Sequence, residues 1–176
     1  MVMDAQERLT EFDREELRVW SALATLLEWL PATLDAQLQR DSELSHFDYG
    51  VMFALSKAPL STLRLSDLAE YANSTLSRLS RSITRLEKPG WVVRSIDSED
   101  GRITRATLTV QGHQIVSDAT PGHVQLVRSI VFNALTKEQS SQLFSICRGI
   151  TSAIREGGEW SPDPVPRSSR NRQTSS

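Results

Sequence analysis

The stretch LSDLAEYANSTLSRLSRSITRLEKPGWVVRSIDSEDGRITRATLT, running from Leu65 to Thr109, decides the fold. Ser66 to Tyr71 reads as a short helix with Ser66 as N-cap and acids in its first turn, where they favour the positive end of the helix dipole. Ala72-Asn73-Ser74 supplies a tight turn. Thr75 to Lys88 is a second helix: Leu76, Leu79, Ile83 and Leu86 recur every three or four residues on one face, and Arg78, Arg81 and Arg85 recur in the same way on another. Pro89-Gly90 ends it. The period then changes. Trp91 to Ile96 and Ile103 to Leu108 are β-prone runs flanking Asp97-Ser98-Glu99-Asp100-Gly101, where acids and a glycine invite a turn, so a two-stranded hairpin with a charged tip is expected.

A short helix, a tight turn, a helix with a basic face and a hairpin, in that order, make a winged helix-turn-helix. The physics suits duplex DNA. A helix fits the major groove, where the hydroxyls of Ser74, Thr75 and Ser77 can reach base edges or phosphates and Arg78, Arg81 and Arg85 can pair with guanine or phosphate. The wing arginines Arg94, Arg102 and Arg105 suit the backbone and the minor groove, where negative potential is focused. Asp100 facing phosphate would be repelled, so it is expected to anchor the hairpin by pairing with Arg94 or Arg102. An arginine-bearing amphipathic helix alone is an ordinary solvated surface helix. The order and spacing of the parts favour DNA.

Charge agrees with this placement. The net charge of −2 is unevenly divided: residues 1–60 carry 5 basic and 11 acidic side chains, whereas residues 74–105 carry 7 basic and 4 acidic. An acidic protein with a basic island suits a polyanion met by one face only.

Outside the decisive stretch, Trp20, Leu23, Leu27, Leu30, Leu34 and Leu38 mark an amphipathic helix from about Asp13 to Arg40, with a kink or break expected at Pro31. Ser45 caps a helix from His46 to Lys57, and Leu63 to Leu65 is a short extended piece. Thr109 opens a helix to about Asn133, with an interruption expected near Pro121-Gly122. Thr136-Lys137-Glu138-Gln139 has the capping-box pattern for a last helix that carries Leu143, Ile146, Ile150 and Ile154 to about Arg155. The expected organisation is a flexible N-terminus (1–12), a mainly α (α+β) domain (13–156) and a disordered tail (157–176). Within that domain the winged part occupies about 60–110, flanked by helices at about 13–40 and 110–156. The outer stripes hold more apolar surface than a winged domain can cover, so a homodimer is the simplest sink for it.

The sequence also resembles the multiple antibiotic resistance regulator (MarR) family of bacterial transcription factors. The likeness rests on Asp100-Gly101-Arg102, five residues, then Leu108-Thr109 and Gly112, together with Leu65-Ser66-Asp67-Leu68-Ala69 and the run from Leu79 to Arg94. Gly101 departs from the family pattern, in which a second arginine is common, and so does Pro89. The resemblance implies a homodimer whose first and last helices interlock, leaving two winged lobes to read a near-palindromic operator in double-stranded DNA. It further implies a repressor relieved by a small aromatic or anionic effector, for which Trp20, His46 and Phe53 are the candidate contacts. A winged-helix protein-interaction module, whose basic face meets an acidic protein, is the alternative.

Other chemistries find no foothold. The sequence contains no nucleophile elbow, phosphate-binding loop, dinucleotide fingerprint or H-E-x-x-H, so neither an enzyme nor a cofactor is expected. His46, His113 and His123 lack ligand spacing, and Cys147 is expected to be a buried structural thiol beside Ile146, so no metal site is expected either. With neither an apolar run long enough to span a bilayer nor a signal sequence, the expected location is the cytoplasm, away from membranes.

Overall fold

The computed structural model describes residues 11–154. Helix α1 spans Arg14–Ser42. Asp13 caps it by accepting from the Glu15 and Glu16 N–H groups, while the Glu16 side chain answers the Asp13 N–H. Of the two outcomes expected at Pro31, a kink or a break, the break does not occur, and one helix runs through it. The ring removes the N–H bond to the carbonyl four residues earlier and crowds that carbonyl, but Pro31 is exposed, so water can serve the freed oxygen while the rest of the helix carries the chain through.

Helix α2 spans His46–Lys57, with Ser45 Oγ accepting from the Asp48 N–H at 3.0 Å. A single 3-10 turn at Pro59–Ser61 leads into strand β1, Thr62–Arg64, which feeds directly into helix α3, Leu65–Tyr71. Ser66 is therefore inside α3 and is not its cap. Arg64 holds the extended cap position as the last residue of β1, and Ser66 Oγ turns to the Asp67 carboxylate. Asn73, in the left-handed region at φ 47°, makes the expected turn into helix α4, Leu76–Glu87. Gly90, at φ 78°, closes the other end, a conformation glycine adopts without steric cost.

Strands β2 (Val92–Ile96) and β3 (Thr104–Leu108) form the expected hairpin, paired from Val92↔Leu108 to Ile96↔Thr104. The sheet has a third strand. Residues Thr62–Arg64 pair antiparallel with Thr107–Arg105, giving the order β1-β3-β2. The extended piece read at Leu63–Leu65 is the edge of the wing sheet.

Helix α5 spans Val110–Ile130 without interruption at Pro121, which is also exposed. Thr109 caps it and ties its start to the hairpin: Thr109 Oγ1 accepts from the Gly112 N–H and donates to the Gly90 carbonyl, at 3.0 and 2.8 Å. Gly112 is needed there, because a Cβ would fall 2.2 Å from the Trp91 carbonyl oxygen. After a 3-10 turn at Phe132–Ala134, helix α6 spans Lys137–Ile154. Its capping box forms as read, with Thr136 and Gln139 exchanging bonds to each other's N–H groups. The expected tail and most of the expected N-terminal arm lie outside the described residues.

The core fills the space between α2, α3, α4, the sheet and the first half of α5, where Met52, Leu55, Leu68, Leu79, Ile83 and Val92 are fully buried. Leu76, read as part of that apolar face, lies on the first turn of α4 and is exposed. The outer helices differ. No residue of α6 is buried, and α1 buries only Leu34, Gln37 and Leu38, near its C-terminal end. Trp20 and Trp29 therefore belong to no core of this chain. Cys147 is exposed in a single chain, on the helix whose burial was expected in a dimer, where no other described element covers it. No helix among the described residues is long and apolar enough to cross a membrane.

Candidate nucleic-acid interface

Helix α4 turns Leu79, Ser82, Ile83 and Leu86 inward, and that orientation directs Ser77, Arg78, Arg81 and Arg85 outward. At its start, Thr75 Oγ1 accepts from the Arg78 N–H at 3.2 Å, and Ser74 Oγ donates to the Thr75 carbonyl at 3.0 Å. Thr75 is thereby committed to capping. The first free N–H groups of α4 point where an anion can meet them, at the positive end of the helix.

The nine residues read as DNA contacts are not equivalent. Among the described residues, neither Arg81 nor Arg102 has an acid within ion-pair reach. Arg78 lies over the Phe47 ring of α2, its guanidinium carbon 4.3 Å from the ring centroid. Arg85 forms a fork with the buried Asp48 carboxylate, NH2 to Oδ1 at 2.8 Å and to Oδ2 at 3.1 Å, and the same carboxylate accepts from the buried Ser82 hydroxyl. Arg85 thus joins α4 to α2, with its Nε and Nη2 edge given to Asp48.

The wing arginines are also engaged. Arg94 reaches back from β2 to α4, donating to the Ser80 carbonyl at 2.8 Å and to Thr84 Oγ1, with Glu87 at 3.2 Å. Arg105 pairs with Asp97. The Asp97 carboxylate also accepts from the Glu99 and Asp100 N–H groups; the Glu99 bond, and then Arg105, hold its pKa below the usual carboxylate value.

Asp100 does not form the expected pair with Arg94 or Arg102. Its side chain accepts from the Arg102 backbone N–H at 3.0 Å and shapes the turn, while Arg94 is already spent on α4. Asp97 is the ionic anchor of the hairpin, and Arg102 stays exposed at its tip.

The residues read as effector contacts separate into two groups. His46 and Phe53 belong to one aromatic row: His46 lies 5.4 Å from His123 of α5, His123 lies 4.8 Å from Tyr49, and Tyr49 lies 5.8 Å from Phe53. Trp20 instead stacks on Phe12 at 6.3 Å. The row is tied across helices by Tyr49 to Thr120 and by His123 Nδ1 to Gln37, at 3.1 and 3.2 Å. Burial holds both imidazoles below their ordinary pKa; Asp35 opposes this at His46, and the neighbouring His46 reinforces it at His123. The described residues contain no group of three or more metal-ligating side chains. His113 instead bonds Ser61 at 2.7 Å.

Sequence reasoning missed Phe47, Asp48 and the His46–His123 contact. Their partners lie at least 31 residues away in the chain and no local pattern marks them.

A helix-turn-helix with an outward basic face, braced by a three-stranded wing, defines the winged helix-turn-helix class. Comparison with known proteins narrows this. The MarR family's sequence profile matches residues 54–104. The crystal structure of Sco3205, a MarR family transcriptional regulator from Streptomyces coelicolor in complex with DNA, is 37% identical, with a TM-score of 0.81, covering 89% of this chain and 98% of that one. AbsC, a MarR family transcriptional regulator from the same organism, is 29% identical, with a TM-score of 0.79, covering 82% and 97%. The HTH-type transcriptional regulator YfiV of Bacillus subtilis (strain 168) is 32% identical over 100 residues, 54% of this chain and 61% of that protein. The chain thus spans between half and two thirds of the curated relatives it matches. The protein belongs to the MarR family of transcriptional regulators.

Proposed function

We propose that the protein is a homodimeric repressor that binds a near-palindromic operator in double-stranded DNA in the cytoplasm. Each α4 lies in a major groove, with Ser74, Ser77, Arg78 and Arg81 at base edges or phosphates and Arg102 of each wing beside the minor groove. Thr75, Arg85, Arg94 and Arg105 serve this surface mainly by fixing its shape, and Asp97 and Asp100 hold the wing. The observation that carries the reading is the outward face of α4, on which Arg81 has no acidic partner among the described residues and Arg78 rests only on a ring. A surface helix without a polyanion partner would tend to intersperse acids among such arginines.

Dimerisation is supported by the apolar side chains left on the outer helices. Leu27 and Trp29 of α1 and Ile146 and Ile154 of α6 are each more than half exposed in a single chain. Such surface is expected to be covered, and a second copy offers the same stripes. An effector that relieves repression fits the junction of α1, α2 and α5, where the row from His46 to Phe53 joins the outer helices to the lobe. Its mixture of rings and polar tips suits a small aromatic acid.

The test is binding of the full-length protein to duplexes selected from a random library, over a range of salt. Specific regulation predicts a selected near-palindrome bound about 10³-fold or more tighter than random duplex, with log K falling linearly in log salt. Weak binding without sequence preference contradicts it and favours the protein-interaction alternative.

A further inference from the structure

Two consecutive residues in the first turn of α2, Phe47 and Asp48, each hold an arginine of α4, and the two arginines are seven residues apart, on one face of that helix. The chemistry of the two contacts differs. Asp48 meets Arg85 edge-on, oxygen to N–H, and consumes the guanidinium fork. Phe47 instead offers its ring face, over which the Arg78 guanidinium carbon sits 4.3 Å from the centroid and where the π-electrons attract the cation. A ring face is not a carboxylate and leaves the in-plane N–H donors of the guanidinium available for acceptors such as a base edge. Arginine is also among the most rotamer-rich side chains. A ring that fixes its plane before binding removes part of the ordering cost that a base contact otherwise carries.

We propose that Phe47 is a specificity-determining positioning residue, holding the Arg78 fork in a fixed plane for one base pair of each half-site. Asp48, through Arg85 and Ser82, fixes the helix that carries the fork. The proposal rests on reading α4 as the base-contacting helix. It makes a demand beyond that reading: an aromatic ring is required at position 47, and an aliphatic side chain of similar bulk does not replace it. A guanidinium held in one plane suits the paired acceptors on the major-groove edge of guanine, whereas a phosphate accepts a cation from many directions.

The test compares wild type, Phe47→Leu, Phe47→Tyr and Arg78→Ala as full-length proteins. Each is titrated against the selected operator and against operators changed at single base pairs. Arg78→Ala identifies the pair that Arg78 reads, by loss of discrimination there. Phe47→Leu is expected to lower discrimination at that same pair about two- to fivefold, the scale of one partly exposed cation–π contact. The other positions and the salt slope stay as in wild type because no charge is lost, and since Phe47 also packs against the core, every titration is run well below the variant's melting temperature. Phe47→Tyr, which keeps the aromatic face, retains full discrimination.

Three results overturn the proposal, and they are distinguishable. If Arg78→Ala loses discrimination while Phe47→Leu keeps it, Phe47 does not position the fork. If Phe47→Leu weakens all duplexes equally, Arg78 meets a phosphate. If Arg78→Ala reads every operator as wild type does, α4 is not the base-contacting helix, and the reading beneath the proposal fails with it.

Discussion

The winged lobe and the outer helices solve the problem of apolar surface in opposite ways. In the lobe, Leu79 and Ile83 of α4 disappear against α2, α3 and the sheet. In α6, Leu143, Ile146, Ile150 and Ile154 recur every three or four residues, yet all stay exposed. An amphipathic stripe therefore specifies a helix in both places but a fold in only one. The lobe's stripe finds its complement within the chain, whereas the stripe on α6 finds none among the described residues. The proposed recognition surface is thus built on a self-sufficient unit, and in the proposed dimer the spacing between two such units would rest on the outer helices.

Removing α6 should have the largest effect. A chain ending at Leu135 loses half of the apolar surface assigned to dimerisation and exposes what remains on α1, and aggregation or unfolding is expected. Sedimentation and circular dichroism would read the outcome. A well-folded monomer that still binds operator normally would mean that the lobe needs no partner helix at all.

A pair of single substitutions sharpens the contrast. Ile83→Ala opens a cavity in a fully buried site and should cost roughly 2–5 kcal/mol at any protein concentration. Trp29→Ala removes a side chain that is 73% exposed in one chain, so its cost should appear as a weaker dimer and a melting temperature that falls on dilution. Urea titrations at two protein concentrations separate the two behaviours. Identical concentration dependence in both variants would erase the distinction between the regions.

The seam between wing and α5 offers a smaller test. Gly112→Ala places a methyl against the Trp91 carbonyl, a backbone atom that cannot rotate away, and should destabilise by about 1–3 kcal/mol. The expected readout is a lower urea midpoint. An unchanged midpoint would show that α5 can slide on the hairpin.

The smallest effect is expected with pH at the junction of lobe and outer helices. Burial favours neutral His46 and His123, so their folded pKa values lie below the ordinary 6.5. In the window below 6.5 the unfolded chain binds more protons than the folded one. This contribution to stability is therefore complete above about pH 6.5 and is lost as pH falls through the depressed folded values. Urea midpoints should drop between pH 7.5 and 5.5, and by less in a His46→Gln, His123→Gln variant. Equal drops in both proteins would place the titrating groups elsewhere.

What was legible in the sequence divides along physical lines. The helix-turn-helix, the hairpin and the capping box at Thr136 are local, set by periodicity and turn chemistry within a few residues, and all of them form. Thr109 and Gly112 could be read as a motif, but the cause, an approach too close for a Cβ, needed Trp91 in space. The third strand was hidden because Thr62–Arg64 is short and its partner lies more than 40 residues away. The sequence does not separate Arg85 from Arg78 and Arg81 on the helix, nor Arg94 and Arg105 from Arg102 on the wing. Only their partners, Asp48, Glu87 and Asp97, separate bracing residues from those left facing outward. A proline removes one backbone bond and crowds the preceding turn, yet at Pro31 and Pro121 the helices run on, because both rings lie on exposed faces of long helices, which the local sequence does not reveal.

If two lobes held by shared outer helices read one operator, the distance between half-sites is fixed by the protein. Successive major grooves on one side of the duplex are about 34–36 Å apart, so the selected site should have half-sites centred about one helical turn, or a whole number of turns, apart. Inserting 5 base pairs turns one half-site to the opposite face, and inserting 10 restores it. Affinity should collapse toward the non-specific level with both insertions, because the first turns a half-site to the opposite face and the second, though it restores the face, moves that half-site about one helical turn out of reach. Equal affinity for the original, the 5-base-pair and the 10-base-pair duplexes would contradict a dimer that presents two lobes at a fixed spacing.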